Sequence, residues 1–246
     1  MKTLAALLLL APALVHAESI TLSNATLKDK IKGAWAAQVI GVTYGFPVEF
    51  KYMSTPIPDN HHLAWNDNSI AQTFDATPGA YDDIYVDLTF VNVIAEKGLD
   101  ATAQDYGDAF AHAGYPLWFA NQVARNNLLN GIPATESGHW KNNPAADDID
   151  FQIEADFIGL MTPGMPVTAA HFADKIGHIM NYGDGYYGGL FVASLYSEAL
   201  VQDNISTVLA NALEMIPSQS QFHQIIADVI AEHAKQDTDW RAAWFA

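Results

Sequence analysis

The sequence contains no cysteine, which excludes disulfides, thiolate zinc centres and cysteine nucleophiles. Its stability has to come from packing. Basic residues are also few: 11 Lys and Arg stand against 28 Asp and Glu, a formal charge of -17. A field of that sign repels nucleic acid and anionic membranes, so neither is expected as a partner. An anionic substrate would need the sign reversed locally, and a bound cation is the simplest means open to an acidic chain. The apolar run from Leu4 to Val15 is shorter than the ~18 residues of a membrane span and is interrupted by Pro12. The nine histidines form no His-Glu-x-x-His pair, and no Gly-x-Ser-x-Gly elbow supports a serine nucleophile.

Among the features that are present, Lys2, the apolar run and Val15-His16-Ala17 have the order of a secretory signal with a small-residue cleavage site. Residues 1–17 are expected to be removed, leaving a secreted or periplasmic chain that starts at Glu18. Hydrophobic residues make up 50% and charged residues 16%, a globular balance that no linker interrupts. Residues 18–246 are therefore expected to form one domain.

Apolar residues recur at helical spacing through most of the chain and strand-like alternation is rare, so the fold is expected to be all-α. A first helix over 27–44 has Thr26 as its N-cap and Ile31, Trp35, Val39 and Val42 on one stripe. Residues 50–80, rich in Pro and Asn, are expected as a loop. A helix from Tyr81 to Lys97 should close at Gly98 and bury Ile84, Leu88, Val91 and Ala95. Further helices are expected near 102–112, 116–130, 146–161, 166–180, 185–202, 204–215 and 219–235. The aromatic ending Trp240 to Ala246 lacks the polar fraying of a finished terminus, and the chain is expected to be incomplete there.

Three segments could carry chemistry. In Tyr81-Asp82-Asp83-Ile84-Tyr85-Val86-Asp87, Asp82 and Asp83 fall in a first helical turn, where the macrodipole alone would favour them. Asp87 is different, because Asp83 and Asp87 are i,i+4 neighbours of like charge and cost the helix stability. Converging carboxylates suit a hard, oxygen-ligated cation, Mg²⁺ above all. A second acidic segment runs from Asp147 to Asp156, with Asp147, Asp150 and Glu154 on one helical face. In so acidic a chain a solvated face is its ordinary explanation. The third, Gly183-Asp184-Gly185-Tyr186-Tyr187-Gly188, has the glycine spacing of a dinucleotide loop but follows a helix instead of a strand. It is either a tight helix-helix connection or a set of free backbone N–H groups able to hold phosphate or ribose.

Taken in order, these segments resemble the ADP-ribosylglycohydrolase family across nearly all of the chain after residue 17. The opening Leu27 to Phe50 looks like that family's first helix, with spaced glycines and a closing Pro47-Val48-Glu49-Phe50. Asp82-Asp83 falls where the family has an Asp-Asp-Thr metal motif. Ile153 to Pro166 resembles the segment after the substrate loop, and Asp174 to Leu200 resembles the glycine-containing helix start near ADP-ribose. Two positions depart from the pattern. Ile84 stands where a hydroxyl residue is expected, and the late Gly-x-Asp-x-Asp segment is matched only by Asp237-Thr238-Asp239, flanked by Gln236 and Trp240.

The resemblance implies a single-domain helical bundle and hydrolysis of an N- or O-glycosidic bond in an ADP-ribosylated protein or related compound, with two Mg²⁺ ions in the intact site. It makes Asp82 and Asp83 metal ligands and puts Glu49 and Asp87 beside the metals as catalytic or water-positioning groups. Asp150, Gln152, Gly183, Asp184, Gly185 and Gly188 would face the ADP-ribose. The alternative is a non-catalytic relative that binds nucleotide-sugars or packs against another chain. Oligomeric state is not legible here. N-terminal sequencing of exported protein is expected to begin at Glu18, and a mature chain still beginning at Met1 would refute the signal assignment.

Overall fold

The computed structural model describes residues 20–236 and 239–245. The expected signal peptide, the Glu18 start and most of Asp237-Thr238-Asp239 lie outside the described residues. Within them are thirteen α-helices, two 3-10 turns and no strand, as an all-α fold requires. None of these helices is long and apolar enough to cross a membrane.

The first helix, α1 (Asn24–Gly45), starts three residues earlier than expected. Ser23, not Thr26, is the cap, accepting a hydrogen bond from the Thr26 N–H at 3.0 Å. A 3-10 turn, Phe46–Val48, follows directly. The expected loop over 50–80 contains a helix, α2 (Ser69–Ala76). The Asn66 N–H bonds the Ser69 hydroxyl at 2.8 Å, and Phe74 packs on Tyr81 at 5.3 Å between ring centres. Such contacts with neighbouring segments can hold a short helix that propensity does not call for.

A second 3-10 turn, Pro78–Tyr81, leads into α3 (Asp82–Lys97), which ends at Gly98 with φ 80°. The buried stripe of α3 is rotated from the expected one. Ile84 is buried, but Leu88 and Ala95 are exposed, and Val86, Phe90 and Val93 take the core positions beside Asp82 and Asp87. Next come α4 (Ala103–His112), α5 (Phe119–Leu129) and the short α6 (Ala134–Ser137), the last of which the sequence did not announce. Thr102 and Asp105 cap α4 reciprocally.

The expected helix over 146–161 is broken into α7 (Asp150–Ile153) and α8 (Asp156–Met161). Asn181 keeps the residues before Asp150 out of a helix. Its side-chain amide donates to the carbonyls of Ala146 and Asp148 at 2.9 and 2.8 Å, and its oxygen accepts from the Phe151 N–H at 2.9 Å. Those backbone groups are therefore spent outside any helical ladder. The remaining helices are α9 (Pro166–Gly177), α10 (Gly183–Ala199), α11 (Ile205–Glu214), α12 (Gln221–Gln236) and α13 (Trp240–Phe245).

Helix α10 is the hub, packing against α7, α8, α9 and α11. Its glycines permit this. The Phe151 ring lies between Gly177 of α9 and Gly189 of α10, where an added Cβ would come within 2.4 and 2.1 Å of ring carbons. Around it gather Phe157, Ile158, Ile176, Ile179, Met180 and Phe191, all buried. Gly189→Ala is expected to lower stability by about 2 kcal/mol or more, from overpacking against a ring that cannot retreat. Thermal unfolding checks this, and an unchanged midpoint would contradict the packing described.

Candidate active site

Tyr81 sets the geometry. Its buried hydroxyl bonds Thr43 Oγ1 near the end of α1 at 2.7 Å and reaches the Ile70 carbonyl in α2 at 3.4 Å. One residue later α3 begins, so the chain leaving α1, with Glu49 just past the 3-10 turn, is tied to the start of α3. Glu49 is exposed, and partial burial together with the charge of Asp82 raises its pKa above the ordinary value. Asp82 and Asp83 occupy the first turn of α3, close enough that each carboxyl perturbs the other. Both are raised chiefly by desolvation, Asp83 to about 7.

The second acidic segment is not a solvated face. Asp147 is exposed, but Asp150 and Glu154 are buried, and so is Asp156 at the start of α8. Asp150 accepts the Asn121 N–H at 2.7 Å, in the first turn of α5, where a helix offers free N–H groups. Its pKa rises to about 7, from burial and then from Asp148 and Asp82. The Asn121 side-chain amide donates to Glu154 at 2.5 Å. Asp156 is bonded by the Tyr196 hydroxyl and rises to about 6, mainly through desolvation.

Glu49, Asp82, Asp83, Asp87, Asp150, Glu154 and Asp156 thus form one group linked through mutual repulsion. None of the ion pairs among the described residues involves any of them. Arg125 spends its guanidinium on the carbonyls of Tyr115 and Phe110.

The expected site residues divide accordingly. Glu49, Asp82, Asp83 and Asp150 are brought together. Asp87 belongs to the same group but is fully buried, bonded by the Gln38 amide at 2.9 Å, so it backs the group instead of opening on solvent. The glycine segment serves packing. Gly185 and Gly188 are buried, and a Cβ on them would meet the Ala146 carbonyl at 2.7 Å and the Gln152 side chain at 2.5 Å. Asp184 accepts the Phe222 N–H at the start of α12. Gly183, with φ 61°, remains exposed beside Asp147.

Sequence reasoning passed over Gln38, Asn121 and Tyr196, although Gln38 and Asn121 carried a signal. Each amide falls on an inward stripe, Gln38 with Trp35 and Val39, Asn121 with Ala120 and Ala124. A polar residue there needs a buried partner.

A family model described as ADP-ribosylglycohydrolase matches residues 23–245. The chain belongs to the ADP-ribosylglycohydrolase family. No curated protein matches it, and no solved structure does either. ADP-ribosylglycohydrolases are metal-dependent hydrolases that act on ADP-ribosylated substrates. In this member, Asp82 and Asp83 have the oxygen chemistry a hard cation takes. Among the described residues, however, no three Asp, Glu or His side chains converge closely enough to hold a metal ion. The described carboxylates therefore do not complete a metal site by themselves.

The raised carboxyls have a consequence for stability. Asp83, Asp150 and Asp156 keep their protons in the folded chain to higher pH than in the unfolded one. Their contribution is full below about pH 4 and is lost as pH rises through about 6 and 7. In metal-free buffer the unfolding temperature is expected to fall between about pH 5 and 8, and Asp150→Asn should make that fall shallower. A midpoint that climbs over this range would contradict the assignment.

Proposed function

We propose that this chain hydrolyses the N- or O-glycosidic bond between ADP-ribose and a modified protein side chain or related compound. The observation that carries this reading is a group of seven carboxylates without a cationic partner among the described residues, gathered within a chain matched by the family from residue 23 to 245.

Glycosidic cleavage passes through a transition state resembling an oxocarbenium ion, which nearby negative charge stabilises. Glu49 is the exposed member of the group. Its raised pKa fits a carboxylate that orients a water and takes its proton as the water attacks the anomeric carbon. Asp82 and Asp83 are the residues that would contribute to holding Mg²⁺, which on binding would supply positive charge for the ribose hydroxyls and the water. Two aspartates do not give a divalent ion a fixed geometry, so the chemistry assigned here stays with the side chains themselves. Gln152 and the exposed Gly183 are the candidates for contact with ADP-ribose, whereas burial argues against Asp150, Gly185 and Gly188. The signal-like start supports export to the periplasm or beyond.

A second reading, a nucleotide-sugar-binding relative without turnover, is favoured by Ile84 in place of a hydroxyl ligand and by the lack, among the described residues, of three acidic or histidine side chains that converge on one ion. Release of ADP-ribose from ADP-ribosyl-arginine in Mg²⁺ tests both. Hydrolysis should occur in the wild type and fall roughly 100-fold or more in Asp83→Asn, the size of effect seen when one electrostatic group is removed from an active site. Calorimetric ADP-ribose binding without any hydrolysis would establish the second reading instead.

A further inference from the structure

Between the end of α1 and α2 lies a cavity of about 140 Å³ that the carboxylate group does not use. Its walls include Tyr44, Pro47, Trp65, Ser69, Gln72 and Thr73. No residue lining it is charged, although the chain carries a formal charge of -17. The Tyr44 and Trp65 rings meet edge to face, 5.7 Å between centres, and form one apolar corner. Both rings are exposed, so the cavity opens to solvent.

The polar groups of the wall divide in two. Thr43 and Ser69 are buried and already have partners. The Thr43 hydroxyl bonds the Val39 carbonyl at 2.8 Å and the Tyr81 hydroxyl at 2.7 Å, and the Ser69 hydroxyl accepts the Asn66 N–H at 2.8 Å. The Gln72 amide and the Trp65 indole N–H are exposed and make no hydrogen bond to another described residue. Gln72 thus offers a donor and an acceptor close to an aromatic corner. A flat carboxamide carries the complementary pair. An apolar group would strip the Gln72 amide of water without replacing it, and a charged side chain would enter walls that hold no counter-charge. Size agrees, because a cavity of ~150 Å³ takes a group as large as benzene.

The cavity borders the carboxylates along two stretches of chain. Pro47, in its wall, stands two residues before Glu49, a separation that spans at most ~7 Å. Thr43, also in its wall, is bonded to Tyr81, the residue before Asp82. A substrate whose anomeric carbon sits at Glu49 therefore has this cavity one or two residues' length away, where the protein part of the substrate continues. We propose that the cavity seats a glutamine or asparagine side chain next to the modified residue of an ADP-ribosylated protein. This rests on the reading that the chain acts on ADP-ribosyl bonds, and it makes Trp65 and Gln72 specificity-determining residues.

Peptides carrying one ADP-ribosyl-arginine, flanked on both sides by glutamine, alanine, lysine or glutamate, test this. In an Asp83→Asn background, which keeps the peptides intact, calorimetry is expected to show the glutamine peptide binding about tenfold tighter than the alanine peptide, the size of effect of one well-made hydrogen bond. The lysine and glutamate peptides should gain nothing over alanine. Adding Trp65→Ala or Gln72→Leu should shrink the glutamine preference to within about twofold, whereas Trp65→Phe should keep it. Wild-type kcat/KM values should follow the same order. Equal binding of the four peptides, a preference for lysine, or a glutamine preference that survives both Trp65→Ala and Gln72→Leu would overturn the assignment. Hydrolysis of free ADP-ribosyl-arginine is read separately. Its absence beside an intact glutamine preference would remove the catalytic reading alone, and its presence without that preference would remove the cavity assignment alone.

Discussion

Burying like charges is the constraint on which the rest of this structure depends. Carboxylates from four parts of the chain, the exit of α1, the start of α3 and the two short helices α7 and α8, are collected with no lysine, arginine or histidine among the described residues paired to any of them. Water would solvate these groups far better than a protein interior does, so the fold has to supply substitutes. It does so with neutral donors: the amides of Gln38 and Asn121, the hydroxyl of Tyr196 and a free N–H in the first turn of α5. Each donor is itself anchored on a helix that the hydrophobic core holds in place.

This explains why the core and the site cannot be separated. The glycines of α9 and α10 let the Phe151 ring enter between them, and Phe151 immediately follows Asp150 in the chain. Asn181 holds the backbone before Asp150 out of a helix and so leaves Asp150 at the start of a short one. A glycine-rich segment that invites a phosphate-binding interpretation is instead the surface against which the acidic segment is packed. Function, on the proposed reading, comes from the negative field that this packing compresses, exposed at Glu49 and supported from beneath by buried acids.

The arrangement also separates the carboxylates by depth. Glu49 is exposed, Asp83 is half-buried, Asp82 and Asp150 are nearly covered, and Asp87 and Glu154 are fully covered. Desolvation favours the neutral form more strongly with depth, so the charge of the group concentrates toward the opening where a substrate would arrive.

Read without coordinates, the chain determined its helical class, most of its helix boundaries and the family resemblance. Those depend on periodicity, on caps such as Gly98 and on short residue patterns, all local along the chain. The paired aspartates at the start of α3 were legible for the same reason. The burial of the second acidic segment was not, because an acidic stretch looks alike whether water or Asn121 solvates it. Nor were the rotated stripe of α3, the helix within 69–76 or the role of Gln38. The helix rests on contacts with Asn66 and Tyr81 outside its own span, Gln38 on a partner 49 residues away, and only the packed chain decides which donor meets which carboxylate.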